Sequence, residues 1–351
     1  MKKAIILANA LLLSYANMAS ASPTNAPLLM TPPSNQTQSS VKTAHQPPAQ
    51  VRTEADKLAY TAQNKQETVA KRTEALAALQ RFPNKNSFIA VARAIKEPNS
   101  EIRMAALIGS RGFNFDYRFR VVEPLFNDPE PEIRIAVTSE LMPNYMSMIP
   151  KQKAIMDKEY NNLITSLFGK GNSATKLKLA DIYRWHNDPK SAEPIYQELQ
   201  IKDAKNPDVW INSSENYRVL QDNQQSLKMI NEGIKHVPDN AKLHYAKSLI
   251  LVREKNKADG LKEIKKAAEL AKTNSYYWYL YAIMEQDIDI KNSTPLFEKA
   301  YLLSGSPEHL YAVCENYLTT GNRKSAQCMV ALEKVAPKSA VENLKKKFNL
   351  Q

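Results

Sequence analysis

Hydrophobic and polar positions between Ser173 and about Pro337 recur with a nearly constant period. A mostly bulky apolar series returns five times in the same register: Tyr183, Tyr217, Leu251, Met284 and Tyr317. A small series keeps that register nine positions later: Ala192, Ser226, Gly260, Ser293 and Ala326. A large series follows four positions after that: Tyr196, Ile230, Ile264, Phe297 and Val330. Residues four apart share one face of a helix, so the pattern predicts five closely packed helix hairpins that must stack to bury their apolar faces.

The hairpin pattern resembles the tetratricopeptide repeat. In the second copy, the tryptophan, tyrosine, alanine, phenylalanine and proline positions of that repeat are met by Trp210, Tyr217, Ser226, Ile230 and Pro238. The resemblance implies an all-α fold, a right-handed α-solenoid in which the first helix of each unit lines a concave surface. It also implies a protein or peptide partner, but it does not identify one.

A second, shorter repeat lies upstream. Residues 97–106 return later in the chain as residues 128–137. The later copy resembles the HEAT repeat through Asp128-Pro129, Ile133-Arg134 and Ala136, and a fainter copy surrounds Arg72. In HEAT repeats this arginine bonds the neighbouring turn, so we interpret Arg103 and Arg134 as structural residues.

The sequence divides into six segments. We expect a signal peptide at 1–21, a disordered leader at 22–51, HEAT-like helices at 52–145, a helical connector at 146–172, five tetratricopeptide-like hairpins at 173–338 and a capping helix at 339–351. Because neighbouring helices of a solenoid stack face to face, the two repeat arrays are expected to form one continuous superhelix.

The N-terminus has the order of an export signal. Lys2 and Lys3 precede an apolar run from residue 4 to residue 13, and Ala19-Ser20-Ala21 forms a small-residue cleavage site. The following leader is rich in proline and polar residues, a composition that cannot bury enough apolar surface to order itself. We therefore expect a periplasmic or secreted protein that begins at Ser22.

The chain is basic, with a formal net charge of +12. Such a balance would favour a nucleic-acid partner in the cytoplasm, but export makes that partner improbable. Positive residues are also scattered over helix faces, as in residues 262–266, which is typical of solvated surfaces.

No local signature of catalysis or cofactor binding is present. The five histidines lack metal-ligand spacing, haem attachment by Cys-x-x-Cys-His is absent, and eight glycines form no phosphate-binding loop. We therefore expect neither an enzyme nor a cofactor or metal site. Cys314 and Cys328 lie at similar heights on the two helices of the fifth hairpin, and either a disulfide or two free thiols fits their spacing.

The candidate partner site lies on the first helices. An aromatic row of Tyr245, Trp278 and Tyr311, equally spaced along the chain, is predicted to face the concave surface. Arginines and acids are expected to adjoin this row, since aromatic residues and arginines are enriched in binding surfaces. These charged residues are Arg184, Arg218, Asp181, Glu215 and Glu315. The alternative is that Trp278 belongs to the core between helices, which a register error of one position would produce.

The order of the repeats also resembles the haem-free C-terminal portion of certain bacterial multihaem cytochromes. That resemblance covers roughly residues 86–338, including Glu159-Tyr160 in the connector and Leu179 to Arg184 at the first hairpin. The sequence thus favours an exported, non-catalytic scaffold that binds a protein or peptide. Two alternatives remain: an accessory factor for periplasmic cytochrome or respiratory assembly, and a secreted effector that binds host protein.

Overall fold

A computed structural model describes residues 53–169 and 171–350 of the protein. The predicted signal peptide at 1–21 and leader at 22–51 lie outside the described residues. The described residues form 18 α-helices with short 3-10 turns. They fall into two compact units, the first ending at Phe168 and the second beginning at Gly169.

The first unit contains seven helices. They are α1 (Glu54–Gln63), α2 (Val69–Ala78), α3 (Lys85–Ala94), α4 (Ser100–Gly109), α5 (Phe115–Val122), α6 (Pro131–Leu141) and α7 (Pro150–Leu167). Side chains that accept a hydrogen bond from a backbone amide mark the N-termini of the first five helices; these are Thr53, Thr68, Asn84, Asn99 and Asn114. Leu76, Val91, Ile102 and Val122 are fully buried between the helices.

Three arginines at equivalent places of the upstream repeat each bind an acidic residue 25 positions further along the chain. Arg72 lies 3.0 Å from Glu97, and Arg134 lies 3.1 Å from Glu159. Between them, Arg103 donates two hydrogen bonds of 2.7 Å to the carboxylate of Asp128. Burial alone would raise the pKa of Asp128, but the hydrogen bond from Arg103 brings it below its ordinary value. These arginines therefore tie successive turns of the first unit together.

The second unit contains five helix hairpins and a final helix. The hairpins pair α8 (Ser173–Trp185) with α9 (Pro189–Lys202), α10 (Pro207–Val219) with α11 (Asn223–His236), α12 (Ala241–Arg253) with α13 (Lys257–Leu270), α14 (Ser275–Gln286) with α15 (Ile290–Ser304) and α16 (Pro307–Thr320) with α17 (Ser325–Val335). The final helix, α18 (Lys338–Lys347), buries Val341 and Leu344 against the last hairpin. The predicted all-α architecture of stacked helix hairpins is confirmed in this unit.

Small residues lie where the two helices of a hairpin approach each other most closely. Ala192, Ser226 and Ser293 are fully buried, and Ser214 Oγ lies 2.9 Å from Ser226 Oγ across the second hairpin. In the third hairpin, Ser248 donates a hydrogen bond of 2.8 Å to the carbonyl oxygen of Gly260. The small series predicted from the sequence therefore has its expected packing role in these hairpins.

The fifth hairpin departs from that register. Ala326 and Val330 are exposed, Val330 by 55%, whereas Cys328 and Leu332 are buried. The connection after Tyr317 is longer by two positions than its counterpart after Tyr217, because helix α17 begins after Lys324. The assignment of Ala326 and Val330 to the small and large series was therefore wrong by two positions, and Cys328 occupies the small position.

Among residues 53–169 and 171–350, no helix combines the length and apolar character needed to cross a membrane.

Candidate partner-binding surface

The first helices of successive hairpins form a continuous row in the second unit. Helix α10 contacts both α8 and α12, its counterparts in the neighbouring hairpins. Ring contacts between Tyr245 and Tyr277 and between Tyr279 and His309 link α12 to α14 and α14 to α16. Polar N-cap residues set the register of the five first helices: Asn172, Asn206, Asn240, Asn274 and Ser306. Side chains five, nine and twelve positions after these caps share one side of each helix. We call this side the first-helix face. It comprises Leu177, Asp181, Arg184, Ile211, Glu215, Arg218, Tyr245, Leu249, Val252, Tyr279, Ile283, Gln286, Tyr311, Glu315 and Leu318.

Trp278 does not lie on the first-helix face. Its side chain is only 7% exposed, and its Nε1 donates a hydrogen bond of 3.0 Å to the carbonyl oxygen of Lys272. Trp210 donates the same bond to Ala204, six positions earlier, at 2.8 Å. Trp278 is thus the counterpart of Trp210 and a core residue. The predicted aromatic row was wrong at this position. Helix α14 is one residue shorter than α12, and the sequence alignment placed this shortening before Trp278, whereas it lies after Trp278.

Tyr279, one position further along, is the true counterpart of Tyr245 and Tyr311. Tyr245 is 2% exposed and packs on Tyr277 with ring centroids 5.0 Å apart, so its predicted role as an open binding residue is also wrong. Tyr279 and Tyr311 are half-buried. Burial raises the pKa of Tyr311, as does the nearby charge of Glu315. The exposed aromatic surface of this face is therefore confined to the fourth and fifth hairpins.

Asp181 and Arg184 form a buried network in the first hairpin instead of an open row. The hydroxyl of Tyr196 donates to Asp181 at 2.7 Å, and Arg184 donates to Asp181 at 3.1 Å. Asn212 of the next hairpin donates to the second carboxylate oxygen of Asp181 at 2.9 Å. Burial raises the pKa of Asp181, while Arg184 opposes that rise. The two residues thus join neighbouring hairpins, and the prediction that they adjoin an open groove was wrong.

The remaining predicted charges are paired within the chain. Arg218 Nε lies 2.6 Å from Glu215, whose side chain is buried while that of Arg218 is partly exposed. Glu315 is paired with Lys347 of the final helix. The first-helix face therefore neutralises most of its own charge, and Arg218 remains the accessible member of the predicted arginine row.

An apolar pocket opens between the third and fourth hairpins. It is lined by Tyr245, Ser248, Leu249, Val252, Ile264, Leu280, Ile283 and Met284. Val252, Ile283 and Met284 are partly exposed, so the pocket communicates with solvent along the first-helix face. The hydroxyl of Ser248 is already used by Gly260, so the lining is apolar, and the free space has room for about one water molecule.

Arg253 follows Val252 at the C-terminal end of α12. Its Nε atom is buried and has no hydrogen-bond partner among the described residues. Both lysines of the same helix have acidic partners: Lys242 lies 3.3 Å from Asp208, and Lys247 lies 2.7 Å from Glu263. Arg253 differs from both, since no described carboxylate lies within ion-pair distance of its guanidinium group.

Cys314 and Cys328 are joined by a disulfide with Cα atoms 5.4 Å apart. Of the two states compatible with the sequence, the structure therefore has the bonded one. Cys328 faces the first helix because of the shift by two positions in the fifth hairpin. Within the described parts of the chain, no three histidine, cysteine or acidic side chains are grouped so that they could hold a metal ion.

Sequence reasoning missed the pocket and Arg253. It also misplaced Trp278, although the sequence holds the signal for its register. The asparagine caps Asn172, Asn206, Asn240 and Asn274 recur at one constant interval. Counting from these caps places Trp278 in register with Trp210, and Tyr279 in register with Tyr245. The lack of a charge partner for Arg253 depends on side-chain positions and has no counterpart in the sequence.

No family model matches this chain. No curated protein matches it either. Among solved structures, it is similar to YrrB, a tetratricopeptide repeat protein described as having an unusual peptide-binding site, at 15% identity over 53% of this chain and 97% of that one, with a TM-score of 0.40. It is also similar to the C-terminal part of a tetratricopeptide repeat protein from Cytophaga hutchinsonii, at 16% identity over 66% of this chain and 95% of that one, with a TM-score of 0.43. A third similar structure is MamA from Desulfovibrio magneticus RS-1, at 14% identity over 46% of this chain and 94% of that one, with a TM-score of 0.38.

Proposed function

We propose that this protein is an exported, non-catalytic scaffold that captures a protein or peptide partner on the first-helix face of its second unit. One observation carries the proposal: the first helices of successive hairpins contact one another and carry partly exposed apolar side chains. These side chains are Ile211, Tyr279, Ile283, Tyr311 and Leu318. Partly exposed apolar and aromatic groups that are held on rigid helices suit partner binding, because little conformational entropy is lost when they are covered.

The order of charged and apolar side chains along the same face supports a partner segment that has both apolar and charged groups. The Arg218–Glu215 pair marks its N-terminal part, and the apolar residues Leu249, Val252 and Ile283 occupy its middle. A partner segment with apolar side chains and some acidic groups would complement this order. It would bind along the row of first helices, where each hairpin contributes a contact.

Export is proposed from the order of charged, apolar and small residues in segment 1–21. The disulfide between Cys314 and Cys328 supports an oxidising compartment such as the periplasm, since structural disulfides are rare in the cytosol. A HEAT-like character of the first unit is supported by the arginine–acid pairs of Arg72, Arg103 and Arg134.

Site-specific photo-cross-linking tests the proposed face. A photoreactive phenylalanine analogue is placed at Ile211 or Tyr311 on the first-helix face, and at Lys228 or Lys265 on exposed positions of second helices. In cells of the native source, the first pair is expected to give an adduct of one common mass and the second pair none. Adducts from the second-helix positions alone would place the partner on the opposite side and refute the proposal.

A further inference from the structure

We propose that one end of the second unit binds the surface of a membrane that contains anionic lipids. This surface, the basic end, is made by exposed cationic and apolar side chains of α15, α17, α18 and the turn before α17. They are Leu302, Arg323, Val330, Lys334, Lys338 and Lys346. None of them belongs to the first-helix face, so this inference goes beyond the proposed partner binding and does not depend on it.

The excess positive charge of the second unit is confined to the segment that holds α17 and α18. Residues 171–321 contain 20 lysines and arginines against 20 aspartates and glutamates, whereas residues 322–350 contain seven against two. The excess is therefore local and does not reflect an evenly basic composition. A local positive potential attracts an anionic surface and acts over about one Debye length, roughly 8 Å at physiological ionic strength.

Most cations of this segment have no acidic partner. Three are paired with carboxylates: Lys324 with Glu298, Lys345 with Glu333 and Lys347 with Glu315. Four have no carboxylate within ion-pair distance among the described residues: Arg323, Lys334, Lys338 and Lys346. Glu342 lies one turn from both Lys338 and Lys346 on α18 and pairs with neither. It offsets one of the four charges at most, so the basic end can bind external anions.

Exposed apolar side chains lie among these cations. Val330 precedes Lys334 by one turn of α17, so the two share one side of that helix. Lys324 lies 3.5 Å from Glu298, which joins the start of α17 to α15. Leu302 follows Glu298 by one turn of α15 and is 84% exposed. The basic end therefore presents apolar and cationic groups together on two neighbouring helices.

This combination suits the boundary between lipid headgroups and acyl chains. Apolar side chains enter that boundary, while lysine stems lie along it and place their ammonium groups beside lipid phosphates. The shape of the surface favours the same partner. Helix α17 contacts α16 and α18 on its inner sides, and its outer side is the convex surface of a single helix. A convex surface fits a flat lipid surface, whereas peptides are mostly held in grooves or along strand edges.

Co-sedimentation with lipid vesicles tests the proposal. The exported form of the chain, which begins at Ser22, is used so that the apolar run of the signal peptide cannot bind lipid itself. Vesicles of phosphatidylcholine are compared with vesicles in which about one quarter of the lipid is phosphatidylglycerol. We expect binding to the anionic vesicles alone in about 0.1 M salt. That binding should fall at least tenfold in about 1 M salt, where the Debye length shrinks to roughly 3 Å.

Two triple variants separate the basic end from the net charge of the protein. The first removes three cations of the basic end: Lys334→Gln, Lys338→Gln and Lys346→Gln. It should weaken binding to the anionic vesicles roughly tenfold or more, because each cation near the lipid surface adds to the attraction. The matched triple changes exposed lysines of α11 and α13: Lys228→Gln, Lys265→Gln and Lys266→Gln. It lowers the net charge equally and should leave binding within about threefold of the original chain.

A pair of single variants tests the apolar part of the basic end. Leu302→Ser should weaken binding to the anionic vesicles roughly threefold or more, since the apolar side chain no longer enters the lipid boundary. Ile201→Ser on α9 is the matched control, because Ile201 is also 84% exposed and lies in the last turn of a second helix. It should leave binding unchanged. Thermal melting of every variant confirms that the fold is intact, as expected for exposed positions.

Failure of the folded chain to bind the anionic vesicles would overturn the inference. So would equal losses of binding in the two lysine triples, or unchanged binding of Leu302→Ser. Poly-glutamate provides the remaining comparison: binding to it in place of the vesicles would make an acidic protein the partner of the basic end and would also overturn the inference.

Discussion

Cys314 and Cys328 lie with their Cα atoms 5.4 Å apart, at the closest approach of the two helices of the fifth hairpin. Ser214 and Ser226 hold the same two positions in the second hairpin, where their hydroxyl oxygens lie 2.9 Å apart. The first hairpin has Ala180 and Ala192 there, both fully buried. The disulfide thus occupies a position that the repeat already reserves for small side chains.

Replacing both cysteines by alanine should remove the cross-link without creating a packing fault, because the first hairpin accommodates an alanine pair. We expect a loss of about 3 kcal/mol of unfolding free energy, the value for closing a loop of this length. Urea unfolding measures it. The reduced original chain should match the double variant, and a reductant should not affect that variant. An unchanged urea midpoint would contradict the structural role of the disulfide.

Trp278→Ala should cost about 3 to 5 kcal/mol of stability, since it opens a cavity in the core between hairpins. Trp278→Phe keeps much of the apolar volume but loses the bond to the Lys272 carbonyl, which contributes about 1 kcal/mol. Urea unfolding monitored by circular dichroism gives both values. Trp185→Ala, at a half-buried position, should cost less than Trp278→Ala. If Trp278→Ala unfolds at the original urea concentration, the core assignment of this residue fails.

Two helical glycines should respond differently to alanine. A Cβ atom at Gly233 would lie 2.7 Å from Trp210 Cβ, and backbone or ring atoms must shift to make room. Gly233→Ala should therefore cost about 1 to 3 kcal/mol. At Gly260 the nearest atom is a methyl of Val252 at 3.1 Å, followed by the flexible end of Met284 at 3.3 Å. There the gain of up to about 1 kcal/mol in helix propensity should offset the tighter contact.

Thermal and urea unfolding of the two glycine variants checks this difference. Similar losses at both positions would mean that helix α11 does not approach Trp210 as closely as the structure shows.

Stability should fall in mild acid because of His309. Burial lowers the pKa of His309, whose ring stacks on Tyr279 and whose Nδ1 lies 2.6 Å from Ser304 Oγ. The unfolded chain titrates this group near its ordinary pKa of about 6.5, so below that pH it binds more protons than the folded chain. The contribution of neutral His309 is therefore present above about pH 6.5 and is lost as the pH falls towards the lower folded pKa.

The difference in urea midpoint between the original chain and His309→Gln isolates this effect from other titrating groups. It should shrink from about pH 7.5 to about pH 5.5. A difference that stays constant or grows in acid would show that His309 is not held neutral by its surroundings.

The candidate site could be predicted only in part. The period of the repeat located the five hairpins and their first helices, because a stacked hairpin must repeat its close-packed and bulky positions in sequence. It did not place single side chains, because helix α14 is one residue shorter than α12, and a count taken from the second helices is then one position, or about 100°, out of register on the first helix. This error of one position assigned Trp278 to the first-helix face. In the structure Trp278 lies in the core, and Tyr279 lies on that face.

By itself, the sequence determined the all-helical repeat architecture of the second unit and the small positions at which the helices of its first four hairpins approach each other. Tertiary structure decided which polar residues are accessible. Asp181 and Arg184 are charged residues of the kind found in binding surfaces, yet both are buried. Tyr196 and Asn212 donate hydrogen bonds to Asp181, which satisfies its carboxylate inside the fold. Arg253 has an unremarkable place in the sequence, yet its charge is uncompensated because the described neighbouring helices bring no carboxylate within reach. Burial and partner distance depend on how helices pack, and no local pattern of residues encodes them.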